Sequence, residues 1–152
     1  TAREIITLAG GVGGTGKLKA VLLGGAAGGF IAPNELDVPL TFEGTRAIGA
    51  SLGSGVVMLF DDSTDLEKVL LRIAEFFRHE SCGQCVPCRI GTIRQREIVH
   101  RLQKKEAGKV LQQDLTLLND VPQVMRDASI CALGQTASSA LQSALQRWEL
   151  FK

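Results

Sequence analysis

The chain has 152 residues, an ordinary apolar fraction of 45% and a formal net charge of +1 from 17 basic and 16 acidic side chains, enough for one full domain or two small ones. Its lysines and arginines are interleaved with acids rather than clustered, which removes the electrostatic case for nucleic acid. No apolar run reaches the roughly 18 residues of a membrane span, so no direct membrane insertion is expected and any membrane link would pass through partners.

The chain opens at Thr1 without methionine, and Ala2-Arg-Glu-Ile-Ile-Thr-Leu-Ala9 reads at once as the body of a helix. Such a start is expected of a piece of a longer protein or of a processed terminus. The first third is glycine-rich. Its short apolar runs at Ala20 to Leu23 and Val56 to Phe60 are bounded by turn residues and read as strands. With the opening helix they predict a small α+β unit over residues 1–61.

The composition changes after Asp61, where Thr64 is the expected N-cap and Glu67, three residues on, completes a capping box. Leu66, Val69, Leu70, Ile73, Phe76 and Phe77 then repeat at helical spacing, predicting one apolar stripe down a helix that ends near His79. Ile90, Ile93, Ile98 and Leu102 make a second, weaker stripe with a stop signal at Gly108. Leu111, Leu115, Leu118 and Val121 begin a third helix, which Pro122 should kink or end. Ser129 to Cys131 leads into a fourth, whose face carries Ala137, Ala140, Leu141, Ala144, Leu145 and Trp148. Four amphipathic helices with short connections predict a bundle over residues 62–152.

Between the first two helices stands Glu80-Ser-Cys-Gly-Gln-Cys-Val-Pro-Cys-Arg-Ile-Gly-Thr92, and Cys131, just ahead of the fourth helix, is the only other cysteine. Three thiolates at two-residue spacing with one distant thiolate suit a [4Fe–4S] cluster. A cubane offers each iron one outward site, so a tight loop can hold three corners while another segment holds the fourth. Gly83 permits the turn, and Pro87 fixes φ just before Cys88. Structural zinc more often draws its sulfurs in C-x2-C pairs, and it stays open as the alternative. Two disulfides are a further possibility, disfavoured because nothing resembling a signal peptide opens the chain. Thiolate ligation predicts a reducing, cytoplasmic compartment. In a bundle the loop and Cys131 can lie at one end, where amides around Gly83, Gly134 and the helix starts are candidate donors to the sulfurs.

Other signals weigh less. Gly11-Val-Gly-Gly-Thr-Gly-Lys17 nearly matches two phosphate-binding patterns, but a helix precedes it and a strand follows, the reverse of what those patterns need. Position 18 is Leu, which has no hydroxyl for Mg²⁺. Gly24-Gly-Ala-Ala-Gly-Gly29 reads as a turn. His79 and Arg89 lie near the cysteine loop and are expected as a solvated helix-end residue and a surface arginine. No Ser/His/Asp or Cys/His arrangement suggests hydrolysis, and no catalytic residue is assigned.

The cysteine run, together with Ser129-Ile-Cys-Ala-Leu-Gly134, resembles the iron–sulfur signature of the flavin- and NADH-binding subunit of respiratory complex I. The same signature marks the diaphorase subunits of NAD-reducing hydrogenases and the β subunits of NAD-dependent formate dehydrogenases. The stretch Gly134-Gln-Thr-Ala-Ser-Ser-Ala140 looks more like the hydrogenase and formate dehydrogenase branch. The resemblance implies a partial ubiquitin-like β-grasp unit over residues 1–61 and a cluster-binding helical bundle over 62–152. It carries Cys82, Cys85, Cys88 and Cys131 over as cluster ligands. It also implies a one-electron outlet for a subunit that is an NADH dehydrogenase or diaphorase, whose FMN and NAD(H) belong to a Rossmann-like domain absent from this chain. The implied partners are that domain, a [2Fe–2S] thioredoxin-like subunit and a further iron–sulfur subunit. A zinc-stapled docking module without redox activity is the competing reading.

Overall fold

The computed structural model describes residues 1–13, 16–104 and 110–151. The stop signal expected at Gly108 lies outside them, as do Gly14 and Thr15 of the glycine motif and the side chain of Leu111. The architecture is α+β, and the chain divides into two compact units, one of residues 1–64 with 143–148, the other of residues 65–142 with 149–152.

The first unit begins with helix α1, Ala2–Leu8, capped by the Thr1 hydroxyl, which accepts the Glu4 N–H. Its sheet has the order β2-β1-β3, antiparallel throughout, with β1 at Leu18–Leu23, β2 at Gly29–Ile31 and β3 at Val57–Asp61. Ala20, Val21, Leu22 and Leu23 are all buried, so the central strand reads as a continuous apolar run rather than an alternation. Alternate residues still serve different faces. Val21, Leu23 and Ile31 pack with Ala2, Ile6, Leu36 and Val38. Leu22 lies opposite Phe30, whose ring stacks 5.6 Å from Phe60 and edge-on, 6.1 Å, from Trp148. Arg147 closes this unit by donating through Nε to a Glu35 carboxylate oxygen at 2.6 Å and through Nη2 to the other at 2.8 Å.

A strand and a helix here escaped the sequence reading. Strand β2 has three residues inside a glycine-rich stretch, too few to show a period. Helix α2, Phe42–Ala47, is a turn and a half held by the Thr41 hydroxyl, which accepts the Gly44 N–H. The Gly24 to Gly29 cluster is indeed a turn with a close approach. A Cβ on Gly28 would fall 1.6 Å from the Leu23 carbonyl oxygen.

In the second unit α3, Leu66–Glu80, buries Leu66, Leu70, Ala74 and Phe77. Its N-cap is Asp65 and not Thr64: the Asp65 carboxylate accepts the N–H groups of Glu67 and Lys68. The Thr64 hydroxyl instead donates to Asp61, and Glu67 accepts the Phe151 N–H, so the expected capping box does not form. Helix α4, Val86–Gln103, packs against α3, α5 and α6. Its buried face is Cys88, Gly91, Thr92, Gln95, Ile98, Val99 and Leu102, whereas Ile90 is 45% exposed. The stripe looked weak because half of the buried face is small or polar.

Helix α5, Val110–Ala128, runs through Pro122 without ending. Proline removes one helical hydrogen bond, but Leu118 and Met125 on either side are buried and hold the helix in place. The expected fourth helix is two, α6 at Ala132–Thr136 and α7 at Ser139–Arg147. Gln95 on α4 donates to the Ala137 carbonyl and accepts from the Ser138 hydroxyl, so the backbone at the break is satisfied from across the unit. None of the described helices is long and apolar enough to cross a membrane.

Candidate metal centre

Helix α3 stops at Ser81, whose N–H closes on the Phe77 carbonyl at 3.1 Å. Gly83 then adopts φ +77°, a left-handed conformation that costs glycine little. The chain enters α4 with Cys85 as N-cap and Pro87 in the first turn, where a missing N–H leaves nothing unsatisfied. Cys88 therefore sits on the first turn of α4 and is buried, 5% exposed. Arg89 is exposed, as expected of a surface arginine, and donates to the Gly83 carbonyl at 3.1 Å, bracing the loop. His79 is exposed at the end of α3.

Cys131 arrives from the other segment as N-cap of α6. Gln135 fixes that approach, its N–H on the Cys131 carbonyl at 3.3 Å and its side-chain amide on the Ser129 carbonyl at 2.9 Å. Gly134 allows close packing: a Cβ there would lie 2.3 Å from Ser129 Oγ and 2.9 Å from Cys88 Cβ.

All four thiols are free, and all four line one cavity of about 290 Å3 together with Glu80, Ser81, Gln84, Ile130 and Leu133. Their environments differ. The Cys85 thiol is held below its ordinary range, first by the Ile130 N–H, then by the Cys88 N–H, with a smaller contribution from the Ser129 hydroxyl, against a burial effect of opposite sign. Burial pushes Cys88 up, and negative charge on Cys85, Cys131 and Cys82 pushes it the same way, while the Ser81 hydroxyl pulls it down. That mutual repulsion means that four thiolates need a cationic occupant.

The donor set fits an iron–sulfur cluster by its chemistry. Four soft sulfurs from two segments face one cavity, and the Ser129 hydroxyl is buried beside them with no partner of full hydrogen-bond geometry. Among the described residues no group of three His, Cys, Asp or Glu side chains is arranged to hold a single metal ion. The amides that reach Cys85 belong to Ile130 and to Cys88, the latter at a helix start as expected, whereas Gly83 gives its N–H to the Ser81 hydroxyl. Ser81, Ser129 and Ile130 are the site residues that sequence reasoning missed. Their only signal was adjacency to the cysteines.

The described parts of the glycine motif, residues 11–13 and 16–17, lie in the chain between α1 and β1, with a helix before the motif and a strand after it.

The chain is similar to known proteins. Residues 68–150 match the family model described as NADH-ubiquinone oxidoreductase-F iron-sulfur binding region. The chain is 37% identical over 148 residues to the F subunit of the NADH-quinone oxidoreductase of Mycobacterium tuberculosis, covering 97% of this chain and 33% of that protein. It is 38% identical over 146 residues to the corresponding protein of Streptomyces coelicolor, covering 96% and 32%. Among solved structures, an NAD+-reducing [NiFe]-hydrogenase in the H2-reduced state superimposes with a TM-score of 0.82 at 30% identity, over 99% of this chain and 25% of that one. The chain thus spans about a third of the length of the curated relatives it matches.

Proposed function

The chain belongs to the family of the NADH-ubiquinone oxidoreductase-F iron–sulfur binding region, and from that membership we propose a one-electron transfer module that holds a [4Fe–4S] cluster on Cys82, Cys85, Cys88 and Cys131. The observation that carries this reading is the convergence of four free thiols, from two separate segments, on one cavity. Bound there, the group would accept and release single electrons. The protein's own part is to hold the ligands still. Helices α3, α4 and α6 fix the backbone at each cysteine, N–H groups of Ile130 and Cys88 favour the Cys85 thiolate, and burial of Cys88 keeps water from one sulfur.

Zinc would require sulfurs that close to about 2.3 Å around one ion, which the arrangement of the described side chains does not support. Anaerobic reconstitution with iron and sulfide should load about four irons per chain. One tightly held zinc and no iron would overturn the proposal.

The sheet unit is read as part of a ubiquitin-like β-grasp domain and the helical unit as a cluster-holding four-helix bundle. In the longer protein this module would be the outlet of an FMN-dependent NADH dehydrogenase or diaphorase. FMN and NAD(H) are assigned to an N-terminal domain beyond this chain. Its further partners would be a [2Fe–2S] thioredoxin-like subunit and another iron–sulfur subunit, in a reducing, cytoplasmic compartment. The Gly134 to Ala140 stretch favours a hydrogenase- or formate-dehydrogenase-linked complex, and the subunits that copurify with the intact protein would test that preference.

A further inference from the structure

The Ser81 hydroxyl lies 3.3 Å from the Cys88 sulfur. Its oxygen also accepts the Gly83 N–H at 3.4 Å. A serine hydroxyl has one hydrogen to give and two lone pairs to receive. With a lone pair committed to Gly83, the hydrogen is left for the sulfur. A ligating cysteine is a thiolate and carries no proton of its own, so the hydrogen in this contact must come from Ser81. Cys88 is also the one buried cysteine of the four. Its sulfur is the least served by water, and a fixed protein donor matters most there.

Resting on the cluster assignment above, the geometry points to Ser81 as a positioning residue that raises the reduction potential of the site by hydrogen-bonding the Cys88 thiolate. Each electron added increases the negative charge shared by the sulfurs. A donor aimed at one of them therefore stabilises the reduced form more than the oxidised form. The backbone is arranged to keep this donor in place: Ser81 N–H is tied to the Phe77 carbonyl, and the left-handed turn at Gly83 returns its amide to the Ser81 oxygen.

The test is a spectroscopically monitored redox titration of the full chain, reconstituted with iron and sulfide under argon, alongside Ser81→Ala, Ser81→Thr and Ser81→Val. Threonine keeps the hydroxyl, whereas valine has nearly the same shape without it. The alanine and valine variants should titrate at a lower potential, with a roughly tenfold fall in the reduced-to-oxidised ratio at fixed ambient potential, or about 59 mV for one electron. The threonine variant should stay near the wild type. A four-iron cluster with one potential in all four proteins would overturn the role of Ser81 alone, as would equal shifts in threonine and valine. A wild-type chain that takes up no iron would instead overturn the cluster assignment, and this inference with it.

Discussion

Gln95 on α4 donates through Nε2 to the Ala137 carbonyl, 2.9 Å away, while its Oε1 accepts from the Ser138 hydroxyl. One buried amide thus satisfies both the last carbonyl after α6 and the first hydroxyl before α7, and α6 is the helix that starts at Cys131. Gln95→Leu would leave the Ala137 carbonyl and the Ser138 hydroxyl without their partner in a site that is 1% exposed at Gln95. Unfolding free energy should fall by about 1–3 kcal/mol. Denaturant titration measures it, and an unchanged midpoint would show that water replaces the amide at no cost.

Gly134 meets Ser129 and Cys88 at distances that leave no room for a methyl group. Its neighbours are a short side chain and a Cβ close to backbone, neither able to swing away. Gly134→Ala should therefore displace α6 from α4 at a cost of about 1–3 kcal/mol, and the displacement moves Cys131 relative to Cys88. Reconstituted variant protein should lose iron faster than wild type when challenged with a chelator. Equal iron retention would mean that α6 tolerates the shift.

The spacing of Cys82, Cys85 and Cys88 makes their proximity legible in the sequence, whereas Cys131 reaches the same cavity only through the fold. What surrounds the set is less legible. Ser81 and Ser129 come to the sulfurs only where α3, α4 and α6 converge, and adjacency to the cysteines is the one signal the sequence carries for them. Thr64 and Asp65 are both good N-caps one residue apart, and choosing between them required knowing that Asp61 takes the Thr64 hydroxyl. Helix α4 misled for a related reason. Apolar periodicity finds faces made of large aliphatic side chains, and the first half of this face is Cys88, Gly91, Thr92 and Gln95. The break between α6 and α7 was hidden because its stabilising partner, Gln95, lies on another helix.

In the sheet unit, burial alone would raise the Glu35 carboxyl, but the Arg147 guanidinium, the Ala32 N–H and the Arg147 charge together hold it below its ordinary range. A carboxylate with a depressed folded-state pKa adds stability above its unfolded pKa, near 4.3, and loses it as pH falls through the folded value. Glu35→Gln should therefore cost roughly 1–3 kcal/mol near neutral pH. The gap between variant and wild type should close on acidification below about pH 4. Urea unfolding of both proteins across that range measures the gap; one that stayed constant with pH would assign the loss to packing instead.

Cys131 is the thiol whose role depends most on the fold, since it alone comes from outside the loop. Its neighbours hold it from both sides: Gln135 fixes the backbone through the Cys131 and Ser129 carbonyls, and Gly134 lets α6 approach Cys88. If it is the fourth ligand, Cys131→Ser should yield protein with fewer than four irons, or a cluster of altered electronic spectrum, because an alkoxide is a poor substitute for a soft thiolate. Helical content should be retained before reconstitution, since the hydrogen bonds at this segment run through Gln95 and Gln135 and not through the sulfur. Circular dichroism of the unloaded chain and iron analysis of the loaded one separate the two effects. A variant that still loads four irons with the wild-type spectrum would remove Cys131 from the ligand set and leave the three-cysteine loop to hold the cluster with some other fourth donor.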